Sequence, residues 1–259
     1  MATKRKKASE QDELGFPEAS KSESKSTSNA AFETRELRSA LQKFHRSKPI
    51  PGYGGTIGGV KFGVYSFFDY DDEPIYVGQT RESLGSRISR HLTNQRSDAV
   101  AMNVLDPFEV RRIEVYPLPQ YQNVKRGHPQ LKQAQDDLNS LEYTVYKRAI
   151  ENSKFKAILN EKQPAEAPLM DPLPPSYSET IVSKEVMDLR GHLDTRIARR
   201  ASTIARLAQV IEEREVQGGL RRSLVTQANR LASLASQRAD ALGAQPEVGE
   251  TDKDSTDEE

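Results

Sequence analysis

The stretch GVYSFFDYDDEPIYVGQT, from Gly63 to Thr80, constrains the fold more than any other part of the chain. Two short runs of aromatic and β-branched residues flank an acidic tip, which is the pattern of a β-hairpin. Gly-Val-Tyr stands on the first run and Tyr-Val-Gly on the second. Closure through a four-residue loop, Asp69 to Asp72, sets Phe68 against Glu73 and Tyr65 directly opposite Tyr76. Opposed residues share a face, with β-carbons about 5 Å apart. Two phenols then project together, and Gly63 and Gly78 leave room beside them for a ligand or another backbone. The other reading of the same residues is an aromatic cross-strand pair in a core.

The neighbouring segments supply the rest of a small domain. Lys61–Phe68 and Pro74–Gly78 read as the hairpin strands, and Phe108–Tyr116 as a third strand. Glu33–Arg46, Ser83–Leu92 and Gln130–Ile150 carry apolar residues at helical spacing. The expected fold class is therefore α/β, a small antiparallel-based sheet flanked by helices. Before it, PIPGYGGTIGG lacks the terminal Gly-Lys-Ser/Thr of a phosphate loop and reads as a flexible loop.

The chain of 259 residues is only 35% hydrophobic and 29% charged, too polar for one packed core over its whole length. The expected order is a disordered tail (1–32), the α/β domain (33–163), a Pro-rich linker (164–178), a helical hairpin or coiled coil (179–243) and an acidic disordered tail (244–259). In the arm, Ile197, Ala201, Ile204, Leu207 and Ile211 keep a helical stripe until Gly218-Gly219 interrupts it. A homodimer through residues 179–243, an intramolecular hairpin, DNA contact and partner recruitment are all open uses of that arm. Residues 36–163 carry 19 Lys/Arg against 15 Asp/Glu, a mildly basic balance that permits nucleic-acid binding. The absence of cysteine excludes disulfides and thiolate metal sites. No apolar run approaches membrane-spanning length, so the expectation is a soluble cytoplasmic protein. The early KRKK reads as a solvated basic tail.

Two helices bring charged groups toward the hairpin. On Ser83–Leu92, the stripe Leu84, Ile88 and Leu92 faces a core. At 100° per residue His91 lies about 60° from its centre and Arg87 about 100°. Both stand at the boundary of core and water, where a cation and an imidazole suit a phosphate. On Gln130–Ile150, Glu142 lies about 55° from the centre of the apolar face and needs a partner there. That partner is a hard cation such as Mg2+, or else Arg87 or Lys147 in a salt bridge.

With these residues in view, the chain resembles the GIY-YIG nucleases over about residues 55–164. GVY (63–65) resembles the first signature element and YVG (76–78) the second. Arg87-x-x-x-His91 is similar to the helix motif that follows, and Glu142 to the metal-binding glutamate. FKAILN (155–160) looks like the segment ending in the family's asparagine, which implicates Asn160, with Asn152 as runner-up. Both tyrosines with R-x-x-x-H look most like the restriction-endonuclease branch. The resemblance implies metal-dependent hydrolysis of DNA phosphodiester bonds in restriction or phage defence. The alternatives are a structure-specific repair nuclease, or an inactive nuclease fold that binds DNA or serves as a scaffold.

The implied roles are metal binding by Glu142 and charge neutralisation by Arg87. Tyr65 would orient or deprotonate the attacking water, with His91 assisting, while Tyr76 would bond the phosphate or water and Asn160 fix local geometry. An ordinary phenol is only about 0.1% ionised at pH 7, a deficit of roughly 4 kcal/mol for a base. Proton acceptance by Tyr65 and mere positioning of the water by it therefore both stand.

Overall fold

The structure is a computed structural model that describes residues 24–47, 50–93, 104–213 and 218–244. The expectations for residues 1–23 and for the tail from 245 onward lie outside the described residues. The described elements run α1 (Ser24–Ser47), β1 (Gly63–Phe68), β2 (Pro74–Thr80), α2 (Leu84–Leu92), β3 (Arg112–Pro117), α3 (Leu131–Asn152), β4 (Tyr177–Thr180), α4 (Lys184–Arg190), α5 (Leu193–Glu213) and α6 (Gly218–Ala241). The four strands form an antiparallel sheet in the order β2-β1-β3-β4, with helices on both faces.

β1 lies inside the sheet and is buried along nearly its whole length, which explains its lack of a polar side. Tyr65 and Phe67 join a core with Leu37, Leu41 and Phe44 of α1 and Leu84, Ile88 and Leu92 of α2. Val64 and Val77 meet Ala134, Leu138, Leu141 and Val145 of α3 in a second core. Helix α2 starts cleanly because Ser83 caps it, its side chain accepting the Ser86 N–H at 3.2 Å.

The hairpin register differs from the expected one. Tyr65 pairs with Gly78 and Phe67 with Tyr76, while the register slips at Phe67/Phe68. The cause is the tip: Asp69 accepts the Asp71 and Glu73 backbone N–H groups through Oδ1, and Asp72 takes a positive φ of 56°. That wider turn adds a bulge and moves the second tyrosine two places along the partner strand. The two phenols still share a face, as diagonal neighbours with ring centroids 6.2 Å apart.

Other boundaries also move. The first helix begins at Ser24 instead of Glu33, so residues 24–32 of the expected disordered tail are helical. They carry no apolar stripe from which helical periodicity could have been read. Phe108 and Glu109, expected at the start of the third strand, lie in the 3-10 turn Pro107–Glu109 capped by Asp106, and β3 begins at Arg112. The Pro-rich linker does not simply lead away from the domain, because at Tyr177 the chain becomes β4 and pairs with β3.

The arm is a helical hairpin packed on the domain. Arg200 of α5 donates to the Arg230 carbonyl of α6, and Asp194 pairs with Arg238, so the two helices run antiparallel. Leu207, Ile211 and Leu220 enter the same core as Tyr65 and Phe67. Of the stripe that suggested self-association, Leu207 and Ile211 are buried in that core, Ile197 and Ile204 are half-buried and Ala201 is exposed. Polar clasps fix the docking: Arg230 and Arg200 reach the hairpin's Asp69, Arg196 reaches Asp71, and Arg200 also bonds Glu109. Arg230 is fully buried. Among the described residues, no helix is long and apolar enough to cross a membrane.

Candidate active site

A cleft of about 420 Å³ opens along β2, the edge strand of the sheet. Tyr76, Arg87, His91, Glu142 and Asn160 all line it. Five of the six side chains singled out in the sequence therefore come together from β2, α2, α3 and the segment after α3. The sixth, Tyr65, is fully buried just behind the wall.

Tyr65 connects to the cleft through two groups. Its hydroxyl lies 3.4 Å from His91 Nδ1 and is also hydrogen-bonded to Arg87. Tyr76 stacks over Tyr65 and meets the His91 ring edge-on, with centroids 4.5 Å apart. Burial acts to lower the Arg87 pKa. The hydrogen bond from the Tyr65 hydroxyl, with the neighbouring Tyr76 phenol, more than offsets it and holds the guanidinium above its usual value. Arg87 is thus a fixed cation whose fork is oriented by a phenol. Its charged neighbour Glu82 is 3.9 Å away on the solvent side.

The glycines have a different purpose from the one expected. A Cβ at position 78 would lie 2.8 Å from the Tyr65 hydroxyl and 2.9 Å from the Tyr76 ring. A Cβ at position 63 would meet the Tyr116 carbonyl at 2.9 Å and the Leu84 side chain at 3.1 Å. The space they leave is filled by the tyrosine and by packing against α2. It is not room for a ligand.

Glu142 projects from α3 and accepts a hydrogen bond from Gln79 Nε2 at 2.9 Å. No salt bridge to Arg87 or Lys147 forms among the described residues. Burial pushes the Glu142 carboxyl up to about 7, while the Gln79 hydrogen bonds pull it down. A half-buried carboxylate with only an amide for a partner is chemically suited to a cation. Among the described residues no cluster of three or more His, Cys, Asp or Glu could cage an ion. A single carboxylate suits a hard divalent cation that fills the rest of its shell with water and substrate phosphate.

Asn160 acts on the backbone. Its side-chain carbonyl accepts the Val77 N–H at 3.0 Å and its amide donates to the Val77 carbonyl at 2.7 Å. Leu159 N–H bonds the Ile75 carbonyl at 2.8 Å. Residues 159–160 thereby cover the free edge of β2 and hold the peptide between Tyr76 and Gly78 in place. Asn152 is exposed at the end of α3 and does not line the cleft.

Residues 61–125 match the GIY-YIG catalytic domain. The matched span holds Tyr65, Tyr76, Arg87 and His91, and it implies nuclease chemistry with DNA as substrate. It ends before α3, so Glu142 and Asn160 reach the same cleft from beyond the matched residues. Neither the curated proteins nor the solved structures give a match to the chain.

Sequence reasoning missed Gln79, which holds both Glu142 and Asn139. The available signal was a polar side chain directly after Tyr-Val-Gly, on a strand otherwise rich in apolar residues. Lys162, which also lines the cleft, gave no periodic signal because it follows the last helix of the domain.

Proposed function

We propose that this protein is a metal-dependent endonuclease that hydrolyses phosphodiester bonds in DNA, of the restriction or phage-defence type. The observation that carries the reading is the convergence of Tyr76, Arg87, His91 and Glu142 on one cleft, with the Tyr65 hydroxyl bonded to His91 and Arg87 behind it. The restriction-type assignment is supported by both tyrosines standing with Arg87-x-x-x-His91.

Phosphoryl transfer requires charge neutralisation and an oriented nucleophile. Arg87 binds the non-bridging oxygens of the scissile phosphate. His91, at the cleft wall, orients the attacking water, and the buried Tyr65 hydroxyl fixes the imidazole from behind. Tyr76 hydrogen-bonds the phosphate or the water. Glu142, steadied by Gln79, holds the divalent cation, which when bound supplies charge neutralisation at the phosphate and leaving oxygen. Asn160 is a positioning residue that fixes β2 beneath Tyr76.

Incubation with supercoiled plasmid tests this. Nicked or linear product should form with Mg2+ and disappear with EDTA, while Glu142→Ala should bind DNA without cutting it. Full cleavage by Glu142→Ala removes that carboxylate from the site. Strong preference for branched over linear duplex moves the reading to structure-specific repair.

A further inference from the structure

A second concave surface lies on the other side of α2. It is a cleft of about 940 Å³ between α1 and α2, with the glycine-rich loop at one lip. Arg35, Arg38 and Arg46 of α1 and Arg90 of α2 line it, and among the described residues no acidic side chain does. Arg35, Arg38, Gln42 and Arg46 fall within about 80° on the helix, opposite Leu37, Leu41 and Phe44 in the core. All four are exposed. Arg90 pairs with Glu82, but no ion pair engages Arg35, Arg38 or Arg46 among the described residues.

His45 lines the cleft, is only 8% exposed, and its Nε2 is buried without a hydrogen-bond partner. An unmatched buried polar atom is costly, and Nε2, with almost no accessible surface, lies beneath the cleft floor. His45 fits because Gly58 and Gly85 lack side chains: a Cβ at 58 would lie 2.5 Å from the His45 Cβ, and one at 85 would lie 3.2 Å from His45 Nδ1.

Helix α2 is the wall common to both clefts. Arg87 and His91 face the active site, whereas Ser86, Ser89 and Arg90 face the basic cleft. A polyanion whose scissile phosphate sits at Arg87 can continue past this helix toward the arginine stripe. Resting on the nuclease reading above, we propose that the α1–α2 cleft binds the sugar–phosphate backbone of the duplex flanking the bond to be cut. The contacts are to phosphates, so the cleft adds affinity and register without sequence readout.

Binding of a 30-base-pair duplex by the full chain in EDTA, measured across a salt series, tests the proposal. The Arg35→Ala/Arg38→Ala/Arg46→Ala variant changes only exposed side chains, and its thermal melting should match wild type. It should lose affinity tenfold or more, and the slope of log K against log salt should fall by about 2 to 3, near 0.9 per lost phosphate contact. Wild-type affinity and slope in the variant, with cleavage by the wild-type chain, overturn the cleft proposal alone. Arginine-dependent binding without any cleavage by wild type upholds the cleft and removes the nuclease reading. A wild-type chain that neither binds nor cuts removes both.

Discussion

Tyr65 and Gly78 face each other across β1 and β2, and the Tyr65 phenol occupies the space that a side chain at position 78 would need. The second signature glycine therefore exists for the first signature tyrosine. Gly78→Ala should push the phenol off His91 and Arg87. The expected result is a loss of about 1–3 kcal/mol from overpacking, with cleavage reduced far beyond the fraction unfolded. Urea denaturation beside single-turnover cleavage measures both, and an active, wild-type-stable Gly78→Ala contradicts this packing.

Tyr65→Phe isolates the hydroxyl. It removes one group bonded to His91 and Arg87 while keeping the ring in the core. Turnover should fall by about 10- to 100-fold, the range for a buried partner that orients a site residue. Stability should change by only about 1 kcal/mol. If the rate merely halves, the phenol is structural.

Asn160→Ala removes both hydrogen bonds to Val77 and leaves the edge of β2 open. A loss of about 1–3 kcal/mol is expected, together with slower cleavage, because buried backbone groups lose their partner. Asn152→Ala should be silent in both measurements. The reverse result would reassign the site asparagine.

Arg230 tests the clasp between arm and hairpin. It is fully buried and pairs with Asp69, whose other oxygen organises the turn of the hairpin. Arg230→Ala leaves Asp69 with Arg200 at 3.7 Å as its remaining cation and should still cost about 1–3 kcal/mol by chemical denaturation, because a buried charge pair is broken. A near-neutral effect would mean that the arm docks by its apolar residues alone.

His45 gives a pH dependence with a definite sign. Burial lowers its pKa from 6.5 to about 4. Between those values the unfolded chain binds the proton and the folded chain does not, so this contribution to stability falls as pH drops below 6.5. The penalty is about 2 kcal/mol at pH 5 relative to pH 7.5. His45→Gln should remove that difference when wild type and variant are compared in urea at both pH values. An unchanged pH difference would show that His45 is not the group responsible.

The sequence made the candidate cleft legible because its residues are local in periodicity. Arg87 and His91 lie one helical turn apart, and Glu142 sits too near an apolar face to be ordinary surface. The hairpin register was not legible. It depends on Asp69 bonding two backbone N–H groups, a choice between turn geometries that composition does not decide. The arm illustrates another limit. Its stripe indicated that α5 and α6 bury an apolar face, but self-association and docking on the chain's own core require the same stripe. The long-range arginine–aspartate contacts that favour docking join residues more than a hundred positions apart. β4 was hidden for a related reason: it is a four-residue edge strand after a proline-rich run, with little burial to impose a pattern.

The central claim is that Glu142 and Arg87 act on one phosphate from opposite elements of the cleft. Single-turnover cleavage of an end-labelled duplex with Mg2+, with DNA affinity measured in parallel, tests it most directly. The account predicts that Glu142→Gln and Arg87→Ala each slow cleavage by at least about 10²-fold, as loss of one charged transition-state contact does. Glu142→Gln should keep wild-type affinity for the duplex. Cleavage at the wild-type rate by either variant would contradict it.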